Sequence, residues 1–294
     1  MKPTVFQGSG VAVITPFTET GINFDELGRI LDDQIKGGTD AIVITGTSGE
    51  AATMTDEEHK AAIRFAVEHV KGRVPVIAGT GSNETRYAIE LSQYAEKVGV
   101  DAVLLVTPYY NKCTQNGLIL HFTKIADSIG IPCILYNVPS RTGVCIQPET
   151  YAELCKHPRI NATKEASGNL ATIARIRHIC GDELNVYSGD DDEIVPILSI
   201  GGKGVISVLA NVAPKATHDI CRLWFEGKAA EAGKMQVDYM DLIAALFCEV
   251  NPIPVKTAMR MLGYQAGPLR MPLSEMMPAH VEVLRTAMQH HGLL

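Results

Sequence analysis

The fold can be inferred from the stretch Ala102-Val103-Leu104-Leu105-Val106, which leads directly into Thr107-Pro108-Tyr109-Tyr110-Asn111. Short runs that are apolar throughout are typical of strands in a parallel sheet, because such strands are buried on both faces. The stretch therefore predicts a buried parallel strand whose C-terminal end carries polar and aromatic side chains.

Seven further runs are apolar nearly throughout, and the starts of the eight runs recur every 20 to 34 residues along the chain. They are Val11–Thr15, Ala41–Thr45, Pro75–Ala78, Pro132–Tyr136, Ile160–Thr163, Leu184–Tyr187 and Gly204–Val208. This spacing is typical of a βα unit, and eight such units predict an α/β fold, a (β/α)8 TIM barrel. An open, doubly wound sheet is the alternative topology.

The segments between the runs have helical periodicity. In Glu58–Val70 the apolar residues form one stripe, as expected for a helix packed against a sheet. After about residue 212 the strand pattern stops, and the rest of the chain is predicted to be helical. We therefore predict a (β/α)8 catalytic barrel over residues 1–224 and a C-terminal helical subdomain over residues 225–294.

Composition excludes several classes of function. The 294 residues include 26 basic and 33 acidic side chains, a net charge of −7, which argues against nucleic-acid binding. No apolar run approaches the roughly 20 residues of a membrane helix. The seven cysteines lie at least ten residues apart and no leader-like segment begins the chain, so we expect reduced thiols and a cytoplasmic protein.

Polar residues follow every predicted strand except the first, and in a (β/α)8 barrel the active site forms at the C-terminal ends of the strands. Lys164 ends a short buried strand, which is unusual for a lysine. One interpretation is structural: the side chain reaches the barrel mouth or pairs with Glu165. The other is a Schiff-base nucleophile, because burial favours the neutral amine that such a nucleophile needs. Tyr136 ends the preceding strand and is either a core tyrosine or a proton-transfer group.

Three other motifs are candidate binding sites. Gly46–Glu50 resembles an anion cradle, although it also suits an ordinary βα turn. Gly79–Glu84 lacks the third glycine of a dinucleotide-binding motif. The acidic run Asp190–Glu193 has no histidine nearby in sequence, so we interpret it as helix capping and helix-dipole stabilisation rather than as a metal site.

Six motifs lie in order at the predicted strand ends, and together they resemble a known family. The motifs are Gly46-Thr47-Ser48-Gly49-Glu50, Thr107-Pro108-Tyr109-Tyr110-Asn111-Lys112, Tyr136-Asn137-Val138-Pro139-Ser140-Arg141-Thr142-Gly143, Lys164-Glu165-Ala166-Ser167-Gly168-Asn169, Ser188-Gly189-Asp190-Asp191 and Gly204-Val205-Ile206-Ser207-Val208. Over essentially its full length the chain resembles the dihydrodipicolinate synthase branch of the class I pyruvate-dependent aldolases and lyases.

The resemblance implies a lyase that condenses pyruvate with L-aspartate 4-semialdehyde to 4-hydroxy-tetrahydrodipicolinate, in diaminopimelate and lysine biosynthesis. It implies that Lys164 forms the imine with pyruvate and that Tyr136 and Thr47 pass protons. Tyr110 would complete this relay across a subunit boundary, in a homotetramer built as a dimer of dimers. No metal or organic cofactor is implied, because the lysine acts as the electron sink.

The resemblance also implies the substrate contacts. Ser48, at a position where threonine is usual, and the backbone of Ile206 would hold pyruvate. Gly189 belongs to the same substrate-binding set, and Arg141 would bind the carboxylate of the second substrate. The alternatives are a sister activity, such as an N-acetylneuraminate lyase or a 2-keto-3-deoxy sugar-acid aldolase, and a catalytically idle barrel that acts as a sensor or scaffold.

The resemblance further bears on regulation by L-lysine, the end product of the implied pathway. Tyr87 stands where lysine-sensitive relatives place a glutamate that pairs with an ammonium group, and Asp56 stands where a histidine can occur. The chain keeps His59, Asn83 and Tyr109 of the residue types used there. We therefore predict weak or absent inhibition by lysine.

Overall fold

In the computed structural model, which describes residues 2–294, eight parallel strands close into a barrel in sequence order. The strands are β1 (Gly8–Ala12), β2 (Ala41–Ile44), β3 (Val76–Gly79), β4 (Ala102–Val106), β5 (Cys133–Asn137), β6 (Ile160–Glu165), β7 (Asn185–Ser188) and β8 (Gly204–Ser207). Pairing of β8 with β1 closes the sheet. The predicted (β/α)8 barrel is confirmed, and the open sheet is excluded.

The helices surround the barrel and continue beyond it. They are α1 (Phe24–Lys36), α2 (Asp56–Val70), α3 (Thr85–Val98), α4 (Gln115–Asp127), α5 (Pro139–Thr142), α6 (Pro148–Leu154), α7 (Leu170–Cys180), α8 (Ile194–Ser199), α9 (Pro214–Phe225), α10 (Ala229–Asp238), α11 (Met240–Leu246), α12 (Ile253–Met261) and α13 (Pro278–His290). Helix α2 begins two residues before its predicted start, because Thr55 and Glu58 form a capping box there.

Strand β1 begins three residues earlier than the predicted Val11–Thr15. Its first residues are Gly-Ser-Gly, which have little intrinsic strand preference, so local sequence does not mark this start. The pairing Gly8↔Gly204 sets it instead. A Cβ on Gly204, whose φ is +151°, would lie 1.8 Å from the Gly8 carbonyl oxygen, so the two strands can approach this closely only through glycine.

Two layers of buried side chains arise from the alternation of residues along each strand. The larger layer lies between the strands and the helices, with Val103 and Leu105 of β4 among its members. The smaller layer fills the barrel interior and includes Tyr136 of β5 and Ala162 and Ala166 on either side of Lys164. Lys164 therefore lies on the inward-facing side of β6.

The chain beyond α9 consists of α10 to α13, and α11 and α13 pack against each other. The division into a barrel of residues 1–224 and a helical subdomain of residues 225–294 stays a prediction. None of the helices within residues 2–294 is both long enough and apolar enough to cross a membrane.

Candidate active site

The C-terminal ends of the strands surround a cavity of about 150 Å³. Six of the predicted site residues line it: Lys164, Tyr136, Thr47, Ser48, Arg141 and Gly189. They come from four different strand ends, spread over more than 140 residues of sequence, and barrel closure brings them together. The cavity is also bounded by apolar side chains, among them Val43 and Leu104, which limit the access of water.

The amine of Lys164 is held inside the barrel. The residue is 5% exposed, and its Nζ lies 4.3 Å from the centroid of the Tyr136 ring. Within the described chain, Nζ has no hydrogen-bond partner and no ion-pair partner within 4 Å. A buried amine without a carboxylate against it is suited to nucleophilic attack on a carbonyl carbon, for which its lone pair must be free.

The predicted alternative, a Lys164–Glu165 pair, is not formed. Glu165 lies on the opposite face of β6 and accepts hydrogen bonds from Asn137 Nδ2 (3.1 Å), Ser167 Oγ (2.9 Å) and the Tyr151 hydroxyl. Burial raises the pKa of this carboxyl to about 7, although the three hydrogen bonds lower it. Glu165 thus belongs to a polar network outside the barrel, and the Lys164 amine is left to the cavity.

The hydroxyls of Tyr136 and Thr47 both face the cavity. Neither accepts or donates a hydrogen bond within residues 2–294, so both are available to a ligand. Tyr136 is 7% exposed and carries its phenol next to the Lys164 amine. A phenol in this position can donate to, or accept from, an oxygen on the carbon that the amine attacks.

Ser48 and Arg141 are connected by a residue that sequence reasoning missed. Asn251 donates from Nδ2 to the Ser48 hydroxyl at 3.0 Å, and its backbone carbonyl accepts a hydrogen bond from Arg141 Nη2 at 3.3 Å. It lines the cavity beside them. The local sequence at Asn251-Pro252 indicates only a turn. The contact between Asn251 and Ser48 joins positions 203 residues apart, so no local pattern predicts it.

Gly189 packs directly on the lysine. A Cβ at this position would lie 3.1 Å from Lys164 Cε and 2.7 Å from Ala166 Cβ. Any side chain here would therefore displace β6 or the lysine, since the clash with Ala166 is with a rigid group. Gly189 thus has a steric role at the base of the cavity.

Two predicted site residues lie outside the cavity lining. Ile206 is wholly buried in β8, and its backbone pairs with Gly10 of β1. Tyr110 is 91% exposed and has a φ of +70°, which is costly for a residue with a Cβ. Within one chain, Tyr110 therefore contributes nothing to the cavity.

The interpretation of Asp190–Glu193 is wrong in its capping part, whereas Asp191, Asp192 and Glu193 do lie in the first turn of a short 3-10 helix, as its helix-dipole part expects. No side chain of this run accepts a hydrogen bond at the start of α8. Asp191 instead accepts from the backbone N–H groups of Val208 (3.0 Å) and Leu209 (2.8 Å), and so connects the β7 and β8 ends of the barrel. Asp190 lines the cavity together with Phe247 of the C-terminal region, and neither had been predicted to belong to the site.

Comparison with known proteins gives full-length matches. The sequence model of the Dihydrodipicolinate synthetase family matches residues 5–291, which confirms the resemblance read from the six motifs. The chain is 55% identical over 291 residues to the 4-hydroxy-tetrahydrodipicolinate synthase 1 of Clostridium acetobutylicum, covering 99% of each chain.

Solved structures of similar proteins have the same fold. Dihydrodipicolinate synthase from Aquifex aeolicus superposes with a TM-score of 0.96 at 44% identity, covering 98% of this chain and 99% of that one. A monomeric dihydrodipicolinate synthase variant superposes with a TM-score of 0.96 at 37% identity, covering 99% and 98%. All of these relatives are named as dihydrodipicolinate or 4-hydroxy-tetrahydrodipicolinate synthases, so the comparison does not favour an N-acetylneuraminate lyase or a 2-keto-3-deoxy sugar-acid aldolase.

Proposed function

Because the chain belongs to the dihydrodipicolinate synthetase family, we propose that it condenses pyruvate with L-aspartate 4-semialdehyde to 4-hydroxy-tetrahydrodipicolinate. It is a lyase of diaminopimelate and lysine biosynthesis. The observation that carries the proposal is the unpaired amine of Lys164, which lies in one cavity with a hydroxyl, Ser48, and a guanidinium, Arg141. These groups suit a keto acid and a second substrate that carries a carboxylate.

Lys164 acts as the nucleophile in this proposal. Its Nζ attacks the ketone carbon of pyruvate, and loss of water gives the imine. Loss of a methyl proton then gives an enamine, whose carbon attacks the aldehyde of the second substrate. The amino group of that substrate displaces Lys164 by transimination, which releases the cyclic product and regenerates the free amine.

Tyr136 and Thr47 pass protons during these steps. Support comes from the position of the Tyr136 phenol beside the Lys164 amine and from the unpaired hydroxyls of both residues in the cavity. Tyr110 completes the relay from a neighbouring subunit, which accounts for its strained and exposed conformation in one chain.

The substrate contacts follow the lining of the cavity. Ser48 holds pyruvate, and Gly189 gives it space against the lysine. The backbone of Ile206, which lies outside the lining, is the remaining pyruvate contact that the family resemblance implies. Arg141 binds the carboxylate of L-aspartate 4-semialdehyde, because a planar guanidinium can donate two parallel hydrogen bonds to it.

We propose a homotetramer, assembled as a dimer of dimers, in the cytoplasm. The exposed aromatic side chains of Tyr109 and Tyr110 at the end of β4 support an interface there, and the seven unpaired cysteines support a reducing compartment. Sedimentation velocity should show one species of four chains. A single species of one chain, as in the monomeric relative, would contradict the assembly.

Borohydride trapping tests the chemistry directly. Incubation with pyruvate and borohydride should fix one reduced adduct per chain, and peptide mass spectrometry should locate it at Lys164. Lys164→Ala and Lys164→Arg should both abolish it, the latter because a guanidinium cannot form the imine. Lys97→Ala, a change at an exposed lysine of α3, is the matched control and should keep the adduct. An adduct at another lysine would disprove the mechanism.

A further inference from the structure

Asp190 is a charged residue of the cavity for which the proposed chemistry gives no role. It follows Gly189 at the end of β7 and lines the cavity that holds the Lys164 amine. The turn that carries it is fixed, because the Ser188 hydroxyl donates to the Asp190 carbonyl at 2.6 Å and accepts from the Asp190 N–H at 3.2 Å. Its carboxylate, by contrast, accepts no hydrogen bond from any group in residues 2–294.

Asp190 also lines a second cavity. The second cavity has a volume of about 310 Å³ and is lined by Asp190–Glu193 on one side and by Met240 and Ile243 of α11 on the other. Asp190 and Phe247 line both cavities. A ligand in either cavity therefore lies near an unpaired carboxylate, in surroundings made negative by Asp191, Asp192 and Glu193.

The active cavity thus contains a matched pair of binding groups for a zwitterion. Arg141 offers a guanidinium for a carboxylate, and Asp190 offers a carboxylate for an ammonium group. Pyruvate has no cationic group, whereas the second substrate of the proposed reaction is an α-amino acid. An amino acid bound through its carboxylate alone would leave a desolvated ammonium group, which is strongly unfavourable without a partner.

Resting on the proposed function, we propose that Asp190 binds the α-ammonium group of L-aspartate 4-semialdehyde and takes one of its protons before ring closure. In this step an N–H bond of the ammonium group breaks and an O–H bond forms on the Asp190 carboxylate. The nitrogen lone pair so released attacks the imine carbon attached to Lys164. A proton then passes from the newly bonded nitrogen to Nζ, the bond from the carbon to Nζ breaks with its electron pair on Nζ, and the substrate nitrogen forms a double bond to the carbon.

The environment of Asp190 suits a group that exchanges protons near neutral pH. Burial, together with repulsion from Asp192, Glu193 and Asp191, raises its pKa to about 7, and the Lys164 charge opposes these effects. A carboxylate with an ordinary pKa would be a weaker base toward an ammonium group. Arg141 and Lys164 are the cationic groups of the cavity that faces Asp190.

The test compares the second substrate with succinate semialdehyde, which has the same aldehyde and carboxylate but no amino group. Asp190→Asn should raise the KM for L-aspartate 4-semialdehyde by about 10- to 150-fold, the effect of losing one charge-assisted contact. The inhibition constant of succinate semialdehyde should change by less than about threefold, which is well below the expected rise in KM. Asp25→Asn removes the same charge from an exposed position of α1 outside both cavities and is the matched control, expected to have little effect on either compound.

A covalent readout separates the catalytic step from binding. In Asp190→Asn the condensed intermediate should remain attached to Lys164, so borohydride should trap an adduct that contains both substrates. Equal losses for the two aldehydes, equal effects of Asp190→Asn and Asp25→Asn, or unimpaired turnover in Asp190→Asn would each overturn the proposal.

Two measurements use only the wild-type enzyme, so they do not depend on whether Asp190→Asn folds. The wild-type enzyme should bind L-aspartate 4-semialdehyde at least about tenfold more tightly than succinate semialdehyde, and equal affinities would overturn the role of Asp190. Pyruvate trapping on wild-type Lys164 tests the proposed function alone. Its absence would disprove the lysine mechanism, whereas its presence with equal aldehyde affinities would disprove only the assignment of Asp190.

Discussion

The Nζ of Lys256 in α12 lies 2.8 Å from a carboxylate oxygen of Glu50, and both side chains are at most 1% exposed. Glu50 ends the Gly46–Glu50 loop, two residues after Ser48, and its second oxygen accepts a hydrogen bond from the Arg270 N–H at 3.0 Å. Lys256 also donates to the Pro268 carbonyl. The C-terminal helices are therefore attached to the loop that carries Ser48, and they are part of the structure that positions the cavity.

Lys256→Met should destabilise the fold by about 3–5 kcal/mol, because it leaves the Glu50 carboxylate buried without its cation. Chemical denaturation would measure the change in the free energy of unfolding. Arg86→Met breaks the exposed Arg86–Glu90 pair of α3, at 2.8 Å, and is the control, with a much smaller expected loss because solvent screens the pair. Similar losses for the two variants would show that the buried pair has no special role.

Arg141→Leu should separate the two substrates. Pyruvate trapping at Lys164 should be nearly unchanged, while the KM for L-aspartate 4-semialdehyde should rise by about 10- to 150-fold through loss of a charge-assisted contact. Steady-state kinetics with each substrate varied in turn would measure both effects. If trapping falls as much as turnover, Arg141 supports the whole cavity, for example through its hydrogen bond to the Asn251 carbonyl.

Tyr110 should act across a subunit interface. Tyr110→Phe and Tyr136→Phe should each slow turnover severely while leaving the melting temperature unchanged, because only a hydroxyl is removed in each. Mixtures of Tyr110→Phe and Lys164→Ala chains should regain activity, since some interfaces then contain one intact site. If subunits exchange and the mixtures remain inactive, Tyr110 serves its own chain or has no catalytic role.

Inhibition by L-lysine should be weak or absent. The Tyr87 hydroxyl donates to Asp56 at 3.1 Å, and the other oxygen of Asp56 pairs with Lys60 at 2.6 Å, so Asp56 cannot replace the missing glutamate as a free carboxylate. Tyr87→Glu should increase sensitivity to lysine. Inhibition of the wild-type enzyme that is complete below about 1 mM lysine, a binding free energy near −4 kcal/mol, would contradict this prediction.

Local sequence patterns were sufficient to predict the barrel. A wholly apolar run such as Ala102–Val106 is typical of a strand covered on both sides, and its repetition at the spacing of a βα unit favours a barrel over an open sheet. The pairing of β8 with β1 decided between the two. The glycine-rich start of β1 carries no such pattern, and its register was settled by the close approach of Gly8 and Gly204. Lys164 was identifiable because a lysine at the end of a buried strand is locally anomalous.

What the sequence by itself determined is therefore the set of strands, their order and the polar groups at their C-terminal ends, because each of these depends on neighbouring residues. Only the tertiary structure decided which distant groups meet. The contacts of Ser48 with Asn251, of Glu50 with Lys256 and of Asp191 with the Val208 and Leu209 amides join separate elements. They depend on how helices and loops pack around the closed barrel, and no periodicity in a single chain segment encodes such a distance.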